Sequence, residues 1–146
     1  MSIRVKISMS EIEKLLRDYT MKIREYNKKI KKSGYYLKPV HIVIKKVRGE
    51  TRVYRYYGRY WWRVLYLGKK KGRSIIRWVY IGKEKPVGLE EPPRNPLEGI
   101  VIYTLKGDKE NIYVPASHYN KLVNALNKIL NKEKVEKLLK ERASER

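Results

Sequence analysis

Residues 51–85, TRVYRYYGRYWWRVLYLGKKKGRSIIRWVYIGKEK, hold alternating aromatic and β-branched side chains, spaced arginines and a single acid, Glu84. Such residues favour strands. The spacing predicts strands over 59–67 and 73–81, joined by Gly68-Lys69-Lys70-Lys71-Gly72 as a five-residue connector. With Leu67 opposite Arg73, Trp62 faces Trp78, Tyr60 faces Tyr80, Val64 faces Ile76 and Arg63 faces Arg77. A slip of one residue would exchange the partners.

Successive strand residues point to opposite faces, so this register divides the hairpin into two surfaces. Tyr60, Trp62, Val64, Tyr66, Ile76, Trp78 and Tyr80 make one apolar face, suited to packing under a helix. Trp62 and Trp78 are therefore expected to support the sheet from behind. The other face mixes Trp61, Leu65, Leu67, Ile75 and Val79 with Arg63, Arg73 and Arg77. Arginines directly opposite one another are unfavourable unless a polyanion lies across them. Guanidinium groups grip phosphate through paired hydrogen bonds and read guanine edges, and Trp61 would wedge against sugars or bases. The rival reading is that these arginines only keep an exposed sheet in solution.

Charge supports the polyanion. The 146 residues hold 36 Lys and Arg against 15 Asp and Glu, a formal net charge of +21. Residues 35–85 account for +13 of this, against +6 for 1–34 and +2 for 86–146. The excess is concentrated where the hairpin lies, and it predicts salt-dependent binding.

The rest of the chain reads as an α+β protein. Ser2–Ser8 alternates as a short strand, Ser8 or Ser10 caps a helix, and Ile12, Leu15, Leu16, Tyr19, Ile23, Tyr26 and Ile30 predict one long helix over 9–32. Its length argues against a ribbon-helix-helix domain, which needs a second helix soon after the first. Residues 40–47 form a further strand, turning through Arg48-Gly49-Glu50 into 51–57, so the central antiparallel sheet has three or four strands, with Gly58 at a bulge. The four prolines of 86–99 mark a linker, which Val87, Leu89 and Leu97 could hold against the core. A second hairpin over 100–105 and 111–114 precedes a helix from 115 and a short one around 132–141, with residues 143–146 fraying. The expected parts are 1–34 (strand and helix), 35–85 (basic aromatic sheet), 86–99 (linker) and 100–146 (hairpin and helices).

Catalytic signals are sparse. There is no cysteine for a disulfide or thiolate metal site, and His41 and His118 lack common metal-ligand spacing. Both are expected to be structural. No GK[ST]-ended phosphate loop is present, and the only aspartates are Asp18 and Asp108. We therefore expect a non-enzymatic protein without metal or cofactor. Without a signal-peptide pattern or an apolar span, the expected location is cytoplasmic or nucleoid-associated.

The stretch from Tyr56 to Lys85 resembles a small microbial module in which tyrosine-rich strands alternate with arginines around a Gly-Lys turn and close on Tyr-Ile/Leu-Gly-Lys. Tyr60, Arg63, Gly68, Lys69, Gly72, Tyr80, Ile81, Gly82 and Lys83 carry the resemblance. It implies a basic hairpin in DNA-associated proteins and covers about a quarter of the chain.

Together these features predict duplex DNA as the first partner, with an architectural or regulatory role and homodimerisation as an aid to specificity. The candidate contacts are Arg55, Arg59, Trp61, Arg63, Lys69, Lys70, Lys71, Arg73, Arg77 and Lys83. RNA or single-stranded nucleic acid is the second reading, with Tyr54, Tyr56 and Tyr57 as further stacking surfaces. A protein-assembly factor is the third.

Overall fold

The computed structural model describes residues 1–129 and 143–145. β1 (Ser2–Val5) leads into Ser8, whose hydroxyl accepts the Glu11 backbone N–H while the Glu11 carboxylate accepts the Ser8 backbone N–H. This reciprocal cap starts α1 (Met9–Leu15). The expected single helix bends at Leu16, whose N–H is shared between the Ile12 and Glu13 carbonyls, and resumes as α2 (Arg17–Ile30). The bend has a packing consequence. Ile12 and Leu16 enter one core cluster, and Ile23, Tyr26 and Ile30 enter another.

β2 (Tyr35–Val47), β3 (Glu50–Lys70) and β4 (Arg73–Gly82) form an antiparallel series. Both connecting turns contain two residues, Arg48-Gly49 and Lys71-Gly72, with φ of 51° and 81° in the first and 52° and 77° in the second. Positive φ at both central positions matches the twist of the flanking strands, and glycine occupies its second position without strain. The five-residue connector expected at 68–72 is therefore corrected. Lys69 and Lys70 continue β3, and only Lys71 and Gly72 turn.

That shorter turn moves the register by three residues at Lys70–Arg73, and the irregularity between Tyr66 and Gly68 returns one, leaving a shift of two beyond it. Trp62 pairs with Tyr80, Val64 with Trp78 and Tyr66 with Ile76, while Arg63 pairs with Val79 and Arg77 with Leu65. The expected Arg63–Arg77 opposition does not form. A shift of two preserves the grouping of side chains by face, as the strand period requires.

The C-terminal half joins the same sheet. β5 (Val101–Leu105) pairs with β3, β6 (Ile112–Pro115) lies between β5 and β1, and β7 (Ala143–Glu145) pairs with β1. The order is β2-β3-β5-β6-β1-β7, with β4 on β3 beyond the end of β5. Residues 143–145 thus form a strand where fraying was expected; the helix expected at 132–141 lies outside the described residues. α3 (Ala116–Ile129) packs Leu122, Ala125 and Leu126 against Val5, Ile102, Ile112 and Val114.

The proline-rich segment lies against the sheet. Asn95 is buried and donates through Nδ2 to the Pro39 and Gly58 carbonyls, at 3.0 and 3.1 Å, and Leu97 is fully enclosed. Leu89 packs beside the second core cluster, whereas Val87 is fully exposed.

Trp61 is the largest fully buried side chain, at 0% exposure. It packs with Leu37 against Ile23, Tyr26 and Ile30 of α2, and Tyr26 meets it edge-on at 6.2 Å. Asn27 fastens the same junction, donating to the Leu37 carbonyl at 3.0 Å and accepting the Leu37 N–H at 2.9 Å. Trp61→Ala should cost roughly 3–5 kcal/mol of stability through the cavity it leaves. Trp78→Ala, on the open face, should cost far less; denaturant unfolding of the two variants checks the difference.

The β5–β6 connection is closed by Asp108, whose carboxylate accepts the Glu110 and Asn111 N–H groups, the Asn111 side-chain amide and the Tyr113 hydroxyl. Burial works against its charge, but these donors together hold its pKa below the ordinary 3.8. Its stabilisation is therefore complete above that value and disappears as pH falls through the lower folded value. The stability advantage of the wild type over Asp108→Asn should narrow on acidification from pH 5 to pH 2, read by thermal melts at stepped pH.

Candidate nucleic-acid interface

Helix α2 lies on the face that carries Trp61, so the aromatic face of the hairpin is left open. This reverses the expected orientation. Trp78 and Tyr80 are 44% and 46% exposed, and neither supports the sheet beneath a helix. Trp61 is enclosed and cannot touch a base.

On the open face, aromatic rings follow one another without a break. Tyr36 meets Trp78 at 5.1 Å between ring centres, and Trp78 meets Trp62 at 6.4 Å. The path continues from Trp62 to Tyr80 at 5.3 Å and from Tyr80 to Tyr60 at 6.4 Å. His41 then bridges Tyr60 and Tyr56, at 5.6 and 6.3 Å, and Tyr54 follows Tyr56 at 6.1 Å. Of these eight rings Tyr36, His41, Trp78 and Tyr80 are exposed, and Tyr54, Tyr56, Tyr60 and Trp62 are partly buried. The path ends in the core at Tyr103 and Tyr113, which stack at 5.2 Å.

Cations accompany the rings. The Lys38 ammonium lies 4.8 Å from the Trp62 ring and 5.3 Å from that of Trp78. Lys45 sits 5.2 Å above Tyr54, and Lys83 is 5.7 Å from Tyr60. These distances permit cation–π attraction while the lysines remain exposed to solvent. Burial first, and then the neighbouring Tyr80 and Tyr56, raise the Tyr60 pKa above the ordinary tyrosine value. A cavity of about 270 Å³ lies among His41, Tyr60, Trp62 and Tyr80.

The remaining sequence candidates separate into four groups. Arg55 and Arg59 are committed within the fold. Arg55 donates to the Thr104 hydroxyl at 3.2 Å, and Arg59 lies 3.4 Å from both Glu91 and Glu98. Arg63 is exposed on the α2 side, where it donates to the Tyr35 hydroxyl and lies over that ring at 5.5 Å. Lys83 joins the ring path.

Lys69, Lys70, Lys71, Arg73 and Arg77 are exposed on a projecting arm. Beyond Arg63, β3 pairs only with β4, so residues 64–70 and 73–78 form a two-stranded ribbon. Tyr66, Leu67, Ile75 and Ile76 are exposed along it. No carboxylate among the described residues forms an ion pair with the arm's five basic side chains.

Tyr36, Lys38, His41 and Lys45 belong to this face but were not among the candidates. They lie on β2, whose pairing with β3 brings Tyr36 opposite Trp62, Lys38 opposite Tyr60 and His41 opposite Tyr56. Alternation of Tyr36 and Lys38 was the available signal; its meaning depended on that pairing. His118 fits its expected structural role, accepting the Val101 N–H through Nδ1 at 3.1 Å. Among the described residues no helix is long and apolar enough to cross a membrane.

Comparison with protein-family models, curated proteins and solved structures finds no match to this chain.

The open face can be checked without a nucleic acid. Iodide, drawn by the flanking lysines, should quench tryptophan fluorescence in the wild type. Trp78→Phe should remove much of the quenchable signal, whereas emission from Trp61 should remain protected. Equal accessibility of all three tryptophans would show that the sheet is oriented otherwise.

Proposed function

We propose that this protein binds single-stranded nucleic acid, RNA or unpaired DNA, without catalysing a reaction on it. The observation that carries this reading is the run of eight rings, four of them exposed, on the face α2 leaves open, with Lys38, Lys45 and Lys83 beside them. Unpaired bases stack on such rings regardless of sequence, and ammonium groups at their margins hold the phosphates. Duplex DNA hides its base faces in its own stack and would leave these rings unused.

The projecting arm favours duplex DNA as a second reading. A two-stranded ribbon fits the major groove, where Arg73 and Arg77 would meet base edges and Lys69, Lys70 and Lys71 the phosphates. In the single-strand reading the same lysines neutralise backbone charge and steepen the salt dependence. A cytoplasmic or nucleoid-associated location accompanies either reading.

Titration of matched single-stranded DNA, RNA and duplex DNA across salt concentrations separates these readings. Single strands should bind more tightly, and Trp78→Ala or Tyr80→Ala should each weaken them by roughly 1–3 kcal/mol, the worth of one stacked base. Lys69→Gln with Lys70→Gln and Lys71→Gln should flatten the salt slope. Duplex preference with unchanged affinity in the ring variants would transfer the assignment to the arm, and absence of binding to all three would overturn both readings.

A further inference from the structure

A groove opens where the ring path reaches its outer end. It lies between α2 and the root of the β3–β4 arm and has a volume of about 490 Å³, a size that holds one small molecule. Tyr36, Trp78 and Ile76 supply apolar walls, and Arg24, Lys28 and Lys31 line the helix side. Among the described residues no carboxylate lines the groove.

Two features identify what the groove is built for. Tyr36 and Trp78 belong both to its wall and to the ring path, so a strand lying along the path is delivered into it. Residues of α2 form its far side. The second feature is charge. Arg24 and Lys28 on α2 and Lys31 just past its end bring three cations to one side of the groove. An anion among them offsets their mutual repulsion.

We infer that this groove receives the phosphorylated terminal nucleotide of a bound single strand. Its base rests against Trp78 and Tyr36, and its phosphate lies among Arg24, Lys28 and Lys31. A terminal phosphate carries about −1.5 to −2 charge at neutral pH and presents three free oxygens, more than an internal phosphodiester offers three cations. The protein would thus distinguish a phosphorylated end from the interior of a strand. This inference rests on the single-strand reading above.

The test measures fluorescence anisotropy with oligonucleotides of one sequence in four forms: 5′-phosphorylated, 3′-phosphorylated, hydroxyl-ended and circular. One phosphorylated end should bind about tenfold more tightly than the hydroxyl-ended strand, as expected for a charge-assisted contact. The circle should match the hydroxyl-ended strand. In the variant Lys28→Gln with Lys31→Gln the gain should vanish; both lysines are exposed, and an unchanged thermal melt establishes that the fold persists. Equal affinity for all four forms would overturn end recognition while leaving the stacking surface in place. A gain that survives in the variant would overturn this groove as its source. Failure to bind any single strand would overturn the parent reading together with this one.

Discussion

The packing of α2 on Trp61 decides what this protein can present to its surroundings. Both faces of the central hairpin are rich in aromatic and branched side chains, and one helix covers only one of them. Burial of Trp61 with Leu37 against Ile23, Tyr26 and Ile30 removes a large apolar surface from water. Asn27 fixes the arrangement by satisfying both backbone groups of Leu37, which would otherwise lie unpaired in the core. With that face occupied, the other is necessarily the accessible one.

An open aromatic face carries a solvation cost and an association hazard. Here the rings reduce it among themselves, through edge contacts such as Tyr36–Trp78 and Trp62–Trp78, and the lysines at their margins keep the surface charged. The same lysines repel other basic surfaces and attract phosphate. The chain's net charge of +21 is thus coupled to a specific arrangement, in which cations border groups that can stack on bases.

Much of the fold was legible from local chemistry. The Ser8–Glu11 cap, the strands of the central sheet, the second hairpin and the start of α3 follow from capping, alternation and helical spacing. The grouping of Tyr60, Trp62, Val64, Tyr66, Ile76, Trp78 and Tyr80 on one face also survived a two-residue register change, because the strand period is two. The turn itself was misread. Gly68-Lys69-Lys70-Lys71-Gly72 has glycines at both ends, yet Gly68 sits at an irregularity in the ladder beside Tyr66 and only Gly72 belongs to the turn.

The candidate site was legible as a composition and illegible as a surface. Arg55 and Arg59 resemble the exposed arginines in sequence, but Thr104, Glu91 and Glu98, which engage them, are distant in the chain. Lys38 and His41 acquire their place from the pairing of β2 with β3. By itself the sequence determined that a basic, aromatic antiparallel sheet would form and which of its side chains would lie together, since alternation and turn chemistry are local. Only the tertiary structure decided which face met solvent. Two similar apolar faces compete for one helix, and the outcome rests on how Trp61, Leu37 and Asn27 fit α2, a long-range complementarity that no local pattern records.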